Sequence, residues 1–545
     1  MSNHRGRVWS AAVCAAALIG PALSARAESL ADALALAYQS SPTLQSQRAL
    51  QRQLDESYVQ ARAGLRPTAS VSGSVSWSQT PSPTDQRVLV NRNGVGATLS
   101  AAQPLYTGGR ASAAIDVAEA QVLAGRQNLR ATEQAVLQSV IQAYADVIRD
   151  QQIVGIRQQS VTVLANQLQE TQARFQVGLL TRTDVARAEA QVAAARAALS
   201  TAQAQLQNSR ANYTAAVGQN PGELTAPPGL PGLPATVDDA FQVAETENPT
   251  LNRAQINEQA SRYRVAQARA QRNPTVSLQG SFGEGGFIDP LGFFNRSVTV
   301  GGVVTQPLVT GGTVSSQIRA ALEQDTSDRI LIEQSRRTTV QAVAQAWNTM
   351  QAALSNTRSG EEQVRAATVA LEGTQEQYRV GLSTTLDVLL TEETLRTAQL
   401  SLAQAQHDLY VAEANLLSAM GRLDARNLVQ GVPLYDPEQN FVQVKNASAV
   451  PWEAAVEALD RGARPAPADP TRPISAPAAA SAPYGLRPAS TGPSTDAGFA
   501  TTIPTVPATG TTSPLQPAAR GERVGAPGEA SPPPPAAALP TGGPR

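Results

Sequence analysis

Val177-Gly178-Leu179-Leu180-Thr181-Arg182-Thr183-Asp184-Val185 returns 203 residues later as Val380-Gly381-Leu382-Ser383-Thr384-Thr385-Leu386-Asp387-Val388. Each copy reads as the tip of a helical hairpin. Gly178 and Gly381 stand where one helix ends in a left-handed residue, which glycine adopts without a Cβ clash, and Leu179 and Leu382 are placed to fold back on the last turn. Thr181 and Thr384 then serve as N-caps of the returning helices. Asp184 and Asp387 sit at the third helical position, completing a capping-box variant.

The repeat extends well beyond the tips. Gln103-Pro104-Leu105-Tyr106-Thr107-Gly108-Gly109 matches Gln306-Pro307-Leu308-Val309-Thr310-Gly311-Gly312 at the same offset of 203 residues, so nothing is inserted or deleted between the two signatures. Upstream, Ser41-Pro42-Thr43-Leu44 and Arg66-Pro67 match Asn248-Pro249-Thr250-Leu251 and Asn273-Pro274 at an offset of 207. The second copy has therefore lost four residues, all between Pro274 and Pro307. A duplication that tolerates a length change in one window only identifies that window as a loop and the remainder as a rod of fixed length.

After Gly109, and again after Gly312, a proline-free helical pattern runs to the tips. Each reach is roughly 100 Å long at about 1.5 Å per residue. Apolar residues recur every seventh position in Val140, Val147, Val154, Val161, Leu168 and Phe175, and less regularly in Val343, Met350, Val364, Leu371 and Tyr378. The returning helices alternate large and small residues, through Val185, Ala188, Val192, Ala195, Leu199, Ala202, Leu206, Ser209, Tyr213 and Ala216 and again through Val388, Thr391, Leu395, Ala398, Leu402, Ala405, Leu409, Ala412, Leu416 and Ala419. These are coiled-coil seams of closely approaching helices.

Before each rod lies a two-strand pattern. Ala69, Val71, Gly73, Val75 and Trp77 alternate with Ser70, Ser72, Ser74, Ser76 and Ser78, and the chain returns through Val95, Ala97, Leu99 and Ala101. The second copy uses Val276, Leu278 and Phe282 outward and Val298, Val300 and Val304 back. Thr80-Pro81-Ser82-Pro83-Thr84 and Gly283 to Asn295 read as the loops between them. Strands of roughly ten residues cross a bilayer when tilted. Trp77, Phe282, Phe287, Phe293 and Phe294, towards the strand ends, suit an interfacial girdle.

Residues 1–27 read as a secretory signal, with His4, Arg5 and Arg7, an apolar run, and Ala25-Arg26-Ala27 as the cleavage site. Cys14, the single cysteine, lies inside that signal and lacks the small preceding residue of a lipid-attachment site. Disulfides and thiolate metal sites are thereby excluded from the mature chain. A net charge of −1 argues against nucleic acid. Past the signal no apolar run of about eighteen residues supplies a transmembrane helix, so entry into a membrane requires a closed β-barrel. Four strands cannot close one. Two chains would give eight strands and a filled interior, and three would give twelve and a lumen. For a channel the strand count favours three chains, and the expected fold is then an α+β membrane protein with internal duplication, a homotrimeric twelve-stranded barrel carrying four strands per chain and continuous with a helical coiled-coil tunnel.

The expected organisation is a signal at 1–27, a first repeat at 28–218, a linker at 219–235 containing Gln219-Asn220-Pro221-Gly222 and Pro227-Pro228-Gly229-Leu230-Pro231, and a second repeat at 236–423. A segment at 424–463, with Val432-Pro433-Leu434-Tyr435 and Trp452, follows and is placed to lie against the helices. Residues 464–545 form a Pro/Ala-rich tail whose composition predicts disorder.

The duplicated Gln-Pro-Leu…Gly-Gly and Val-Gly-Leu…Asp-Val signatures, in this order from about Glu28 to Asp424, resemble the TolC family of outer-membrane secretion and efflux channels. That resemblance implies an outer-membrane location with a periplasmic extension, a periplasmic adaptor, and an inner-membrane ABC or proton-driven transporter. It places Gly178, Leu179, Gly381, Leu382, Ser383 and Thr384 on adaptor-contacting turns, and Asp184, Tyr378 and Asp387 at a closed entrance. The sequence departs from the family at Ser383, where a latch arginine is expected, and at Leu390, where a second pore aspartate is; Arg182 could supply a replacement charge. The residues by themselves are equally consistent with Asp184 and Asp387 acting only as helix caps.

Nothing assembles a catalytic set, and neither cofactor nor metal is expected. His407, the single histidine after the signal, reads as a helix-surface residue, and Gly283-Glu284-Gly285-Gly286 has no strand-to-helix context for a phosphate loop. The expected activity is protein export (type I secretion), with small-molecule efflux as one alternative and a non-conducting coiled-coil tether or surface adhesin as another.

Overall fold

The computed structural model describes residues 28–471 except 82, 83, 85, 88, 289–293 and 430–432. All of these lie in one compact unit, residues 1–474. The signal, the tail from residue 472, Ser82, Pro83, Phe293 and Val432 lie outside the described residues.

The elements follow twice in the same order. α1 (Leu30–Ser40) and α2 (Pro42–Ala63) lead to β1 (Thr68–Pro81), β2 (Leu89–Tyr106), α3 (Arg110–Gln176) and α4 (Arg182–Val217). α5 (Val237–Glu247), α6 (Pro249–Ala270), β3 (Thr275–Phe287), β4 (Phe294–Thr305), α7 (Thr313–Arg379) and α8 (Thr385–Met420) repeat them. α3 and α7 are each 67 residues long, and α4 and α8 each 36. Equal lengths are what an antiparallel seam requires, since one deletion would rotate every later side chain out of its partner's groove. Ser41-Pro42 and Asn248-Pro249 break each short helix pair as expected, because a residue before proline leaves the helical region. Asn248 also caps α6 by accepting from the Thr250 and Leu251 amides.

The seams of α4 and α8 are buried at Ala188, Val192, Ala195, Ala202, Leu206, Ser209 and Tyr213, and at Val388, Ala398, Ala412 and Leu416. α8 buries a second stripe, Leu389, Ala403, Ala414 and Leu417, because α3 of the first repeat also packs on it. The largest apolar cluster gathers Leu34, Tyr38, Leu137, Ile141, Tyr144, Tyr213, Leu417 and Leu423, joining α1, α3, α4 and α8 at one level. Phe175, near the tip, is exposed and drops out of the seven-residue spacing.

The four strands form one antiparallel sheet ordered β1-β2-β3-β4. They are longer than expected, at 14, 18, 13 and 12 residues. Pro81 is in strand rather than turn, paired with Leu89 on β1, an edge strand where proline is tolerated. Gly283 to Phe287, Phe294 and Asn295 are strand rather than loop. A Cβ on Gly285 would lie 3.0 Å from the Val95 carbonyl oxygen and 3.1 Å from the Gly96 Cα, so these glycines serve close approach of neighbouring strands. Side chains on one face come in register as Val71, Leu99, Phe282 and Val298, and on the other as Ser70, Ser100, Ser281 and Thr299. Trp77 and Phe294 share the apolar face. Phe287 does not: it pairs with Gly94, which pairs with Ser76, so the two-residue period puts it on the hydroxyl face. The apolar face is bare, with Val75 85% exposed and Val71 76%.

α9 (Ala425–Leu428), α10 (Pro437–Val444) and α11 (Glu453–Gly462) are the last described helices; α9 lies against α1, α10 against α2, and α11 against α3 and β2. α10 packs on α2, with Phe441 edge-on to Tyr58 at 5.0 Å. α11 seats Glu453 against Arg66 (3.0 Å) and Arg62 (2.8 Å), and its Asp460 supplies the cap that glycine denies to α3. The Thr107, Gly109 and Ser112 amides donate to the Asp460 carboxylate at 2.7, 3.1 and 3.1 Å. Burial alone would raise this carboxyl, but those donors outweigh it and hold it below its ordinary range. A depressed value stabilises the fold above the unfolded-state pKa of about 3.9 and the contribution fades as pH falls through the folded value. Asp460→Asn should therefore cost about 1–3 kcal/mol at neutral pH, read as a lower Tm, with the gap from wild type closing below about pH 4; a gap that widens on acidification contradicts this account.

Candidate functional site

The two hairpin tips are near copies. Gly178 and Gly381 both adopt φ of +78°, and a Cβ on either would meet nothing within 4 Å, so the backbone sign alone calls for glycine. The Leu179 amide donates to the Arg174 carbonyl at 3.0 Å and Leu382 to Gln377 at 2.8 Å, closing each helix in a Schellman turn. The leucine side chains do not fold back as expected. Leu179 is 73% exposed and Leu382 81%, beside equally bare Val177 and Val380, because each turn aims them away from its own helix.

Asp184 and Asp387 are caps. The Thr181 amide and hydroxyl donate to Asp184 Oδ2 at 3.0 and 2.7 Å, and those of Thr384 to Asp387 Oδ2 at 2.8 and 2.7 Å. The Ser383 hydroxyl adds a third donor to Asp387 at 3.2 Å. The threonine hydroxyls, then the threonine amides, hold both carboxyls below their ordinary range. Both therefore stay ionised at neutral pH and combine capping with a fixed negative charge at an exposed tip. Arg182 is exposed and makes no ion pair among the described residues.

Tyr378 is buried, accepting from the Thr385 hydroxyl at 3.4 Å, with the Arg174 guanidinium 4.4 Å over its ring. Arg174 belongs to α3 and Tyr378 to α7, so this contact ties one hairpin tip to the other. This contact was not legible in the sequence, because the repeat places Gln377 where Arg174 stands; within its own helix Arg174 also pairs with Glu170 at 2.6 Å.

Further along, α3 and α8 are joined by polar pairs at intervals. The Arg396 guanidinium donates to the Ser160 hydroxyl at 2.9 Å, and Gln138 to Asn415 at 2.6 Å. Between them lies His407, whose side chain is 9% exposed rather than on the helix surface. Its Nε2 is 3.0 Å from Asp146 Oδ1 on α3 and its Nδ1 2.9 Å from Asp408 Oδ1, while Arg149 holds Asp146 at 2.8 Å. Burial pushes the imidazole down, but the two carboxylates outweigh it and raise its pKa. A raised value stabilises the fold below the unfolded pKa of about 6.5 and is lost as pH rises through the folded one. His407→Asn should lower stability by about 1 kcal/mol at pH 5.5, with wild type and variant converging as the pH is raised towards 9; thermal unfolding across that range decides it, and divergence on the alkaline side is the contrary result.

Among the described residues no three His, Cys, Asp or Glu groups gather to hold a metal ion, and no helix is long and apolar enough to cross a membrane. What the arrangement offers is two long helical hairpins with bare apolar, acidic tips, attached to a sheet with one bare apolar face.

Comparison with known proteins agrees with this construction. The family model described as outer membrane efflux protein matches residues 33–219 and 240–422. The chain belongs to that family. It is 34% identical over 441 residues to the outer membrane efflux protein BepC of Brucella suis, covering 80% of this chain and 95% of the relative. To the outer membrane protein TolC of Escherichia coli it is 26% identical over 439 residues, covering 76% and 87%. Among solved structures it shares the fold of VceC from Vibrio cholerae, with a TM-score of 0.61 at 23% identity over 72% of this chain and 96% of that one. The outer-membrane channel OprN gives a TM-score of 0.62 at 21% identity over 77% and 98%. Family membership therefore extends across both halves of the duplication.

Proposed function

We propose that this chain is one third of an outer-membrane exit duct, in which three copies close their four-stranded sheets into a twelve-stranded barrel whose lumen continues into a periplasmic tunnel of coiled helices. The observation that carries the reading is the sheet: a largely apolar face left bare, its charges confined to the paired Glu284 and Arg296, two unpaired edges at β1 and β4, and an opposite face of hydroxyls and glycines. In water such a sheet would aggregate; in lipid, closed by sibling sheets, every backbone group is paired and the hydroxyls face a water-filled lumen. A tether or adhesin would need the rods but not this sheet.

The exposed tips are the parts that meet other proteins. Gly178, Leu179, Gly381, Leu382, Ser383 and Thr384 form adaptor-contacting knobs, with bare leucines to bury and glycines that allow close approach, and an energised inner-membrane transporter completes the assembly. Asp184 and Asp387, with Arg182 and the Tyr378 contact, lie at the entrance. Three copies of Asp387 around a narrow opening concentrate negative potential and favour cations.

The cargo we assign is protein, passed by type I secretion. Relatives named for this role include the alkaline protease secretion protein AprF of Pseudomonas aeruginosa, at 27% identity over 341 residues. The greater identity to BepC, named an efflux protein, favours small-molecule efflux as the second reading. Deleting the gene separates them, through loss of a secreted protein from the medium or gain of drug sensitivity.

The conducting function is tested by single-channel recording of the purified protein in a planar bilayer. Wild type should give discrete conductance steps with cation preference, and Asp387→Ala should reduce that preference several-fold. Silence in the bilayer would remove the channel reading, and unchanged selectivity would remove the aspartate ring.

A further inference from the structure

The hydroxyl face of the sheet is more selective in its chemistry than a generic polar face. Strand register places on it Ser70, Ser72, Ser74, Ser76 and Ser78 of β1 and, across from them, Ser100, Thr98, Gly96, Gly94 and Arg92 of β2. β3 adds Gln279, Ser281, Gly283, Gly285 and Phe287, and β4 adds Gly301, Thr299, Ser297 and Asn295. The sheet is hollowed on this side: a cavity of about 350 Å³ is lined by Ser70, Ser100, Gln279, Ser281 and Thr299. Among the described residues of this face, Arg92 is the only charged side chain and Phe287 the only aromatic one. They lie together, the Arg92 guanidinium 5.0 Å from the centroid of the Phe287 ring, at the end of the sheet remote from α3 and α7.

Arg92 makes no ion pair with a described residue. The other strand-borne charges, Glu284 and Arg296, are on the apolar face and pair with each other at 3.6 Å. A guanidinium over an aromatic ring keeps its full charge while losing much of its freedom to swing away. The described residues around it on this face are hydroxyls and glycine backbone.

We propose that Arg92, braced by Phe287, is the charge-selecting residue of the outer mouth of the duct, where three copies form a ring that attracts polyanions such as polyphosphates and polycarboxylates. The inference rests on the channel reading and extends it: the passage carries opposite charges at its two ends, carboxylates at the tips and guanidinium groups at the exit, and within the sheet no other described side chain of the hydroxyl face is charged. A ring of like charges at a constriction with low-dielectric walls focuses potential and acts on whatever passes.

The test uses the whole reconstituted protein in a planar bilayer, with inositol hexakisphosphate added to one side at a time. Wild type should be blocked from the barrel side, less so as salt is raised, and far more weakly from the side of the helical tips. Arg92→Gln should raise the blocking concentration from the barrel side by about tenfold or more, Arg92→Lys should retain most of the block, and Phe287→Leu should weaken it part-way. Should Arg92→Gln not assemble, Ser78→Glu, directly opposite Arg92 in register, neutralises the ring in place and carries the same expectation. A conducting wild type that is blocked from neither side, or a conducting Arg92→Gln or Ser78→Glu blocked like wild type, overturns the proposal and leaves the channel reading standing. A wild type that does not conduct overturns both.

Discussion

The constraint on which this architecture depends is the backbone hydrogen bond that β1 and β4 cannot make within one chain. A four-stranded antiparallel sheet leaves two rows of donors and acceptors unpaired at its edges, and here those edges flank a face of valine, leucine, tryptophan and phenylalanine that is exposed among the described residues. Each unsatisfied group costs several kcal/mol in hydrocarbon. In the proposed assembly, closure with further sheets removes both costs together.

The rest of the molecule is arranged so that the sheet keeps its place. Each strand pair leads through a short connection into a 67-residue helix, and that connection ends in paired left-handed glycines. The first of these junctions is covered by α11, whose Asp460 takes up three backbone amides at the start of α3; the second, at Thr310 to Gly312, is exposed. Two halves with the same elements are thus finished differently. Along the rods, small residues set the spacing and a few polar pairs set the register: Gln138 with Asn415, Asp146 with His407, and Ser160 with Arg396. A buried pair of this kind contributes little net stability but disfavours slipped alignments, where each partner would be left unsatisfied.

The larger features were legible because they are periodic or repeated. A seven-residue spacing, a serine alternation and two signatures at one offset give helix, strand and duplication without reference to anything distant in the chain. Capping by Thr181 with Asp184 and Thr384 with Asp387 was legible for the same reason, being local. Contacts between elements were not. Nothing near His407 announces Asp146, and nothing near Tyr378 announces Arg174, since each pair is created by the crossing of helices whose mutual rotation no single helix encodes. Phe287 was misplaced because glycines on both sides made Gly283 to Asn295 resemble a loop, and a residue thought to be in a loop has no face. Once the strand is continuous, counting by twos places it on the hydroxyl face.

The central claim is that one chain is incomplete and is finished by its siblings, edge to edge. The one cysteine of the sequence is Cys14, in the segment expected to be cleaved, so a single cysteine placed on β1 and another on β4 report that contact cleanly. Purified from membranes in mild detergent and oxidised, such a double variant should run as a ladder that ends at three copies, with a native mass to match. A protein that remains a single copy throughout, with neither cross-link nor added mass, would contradict the account.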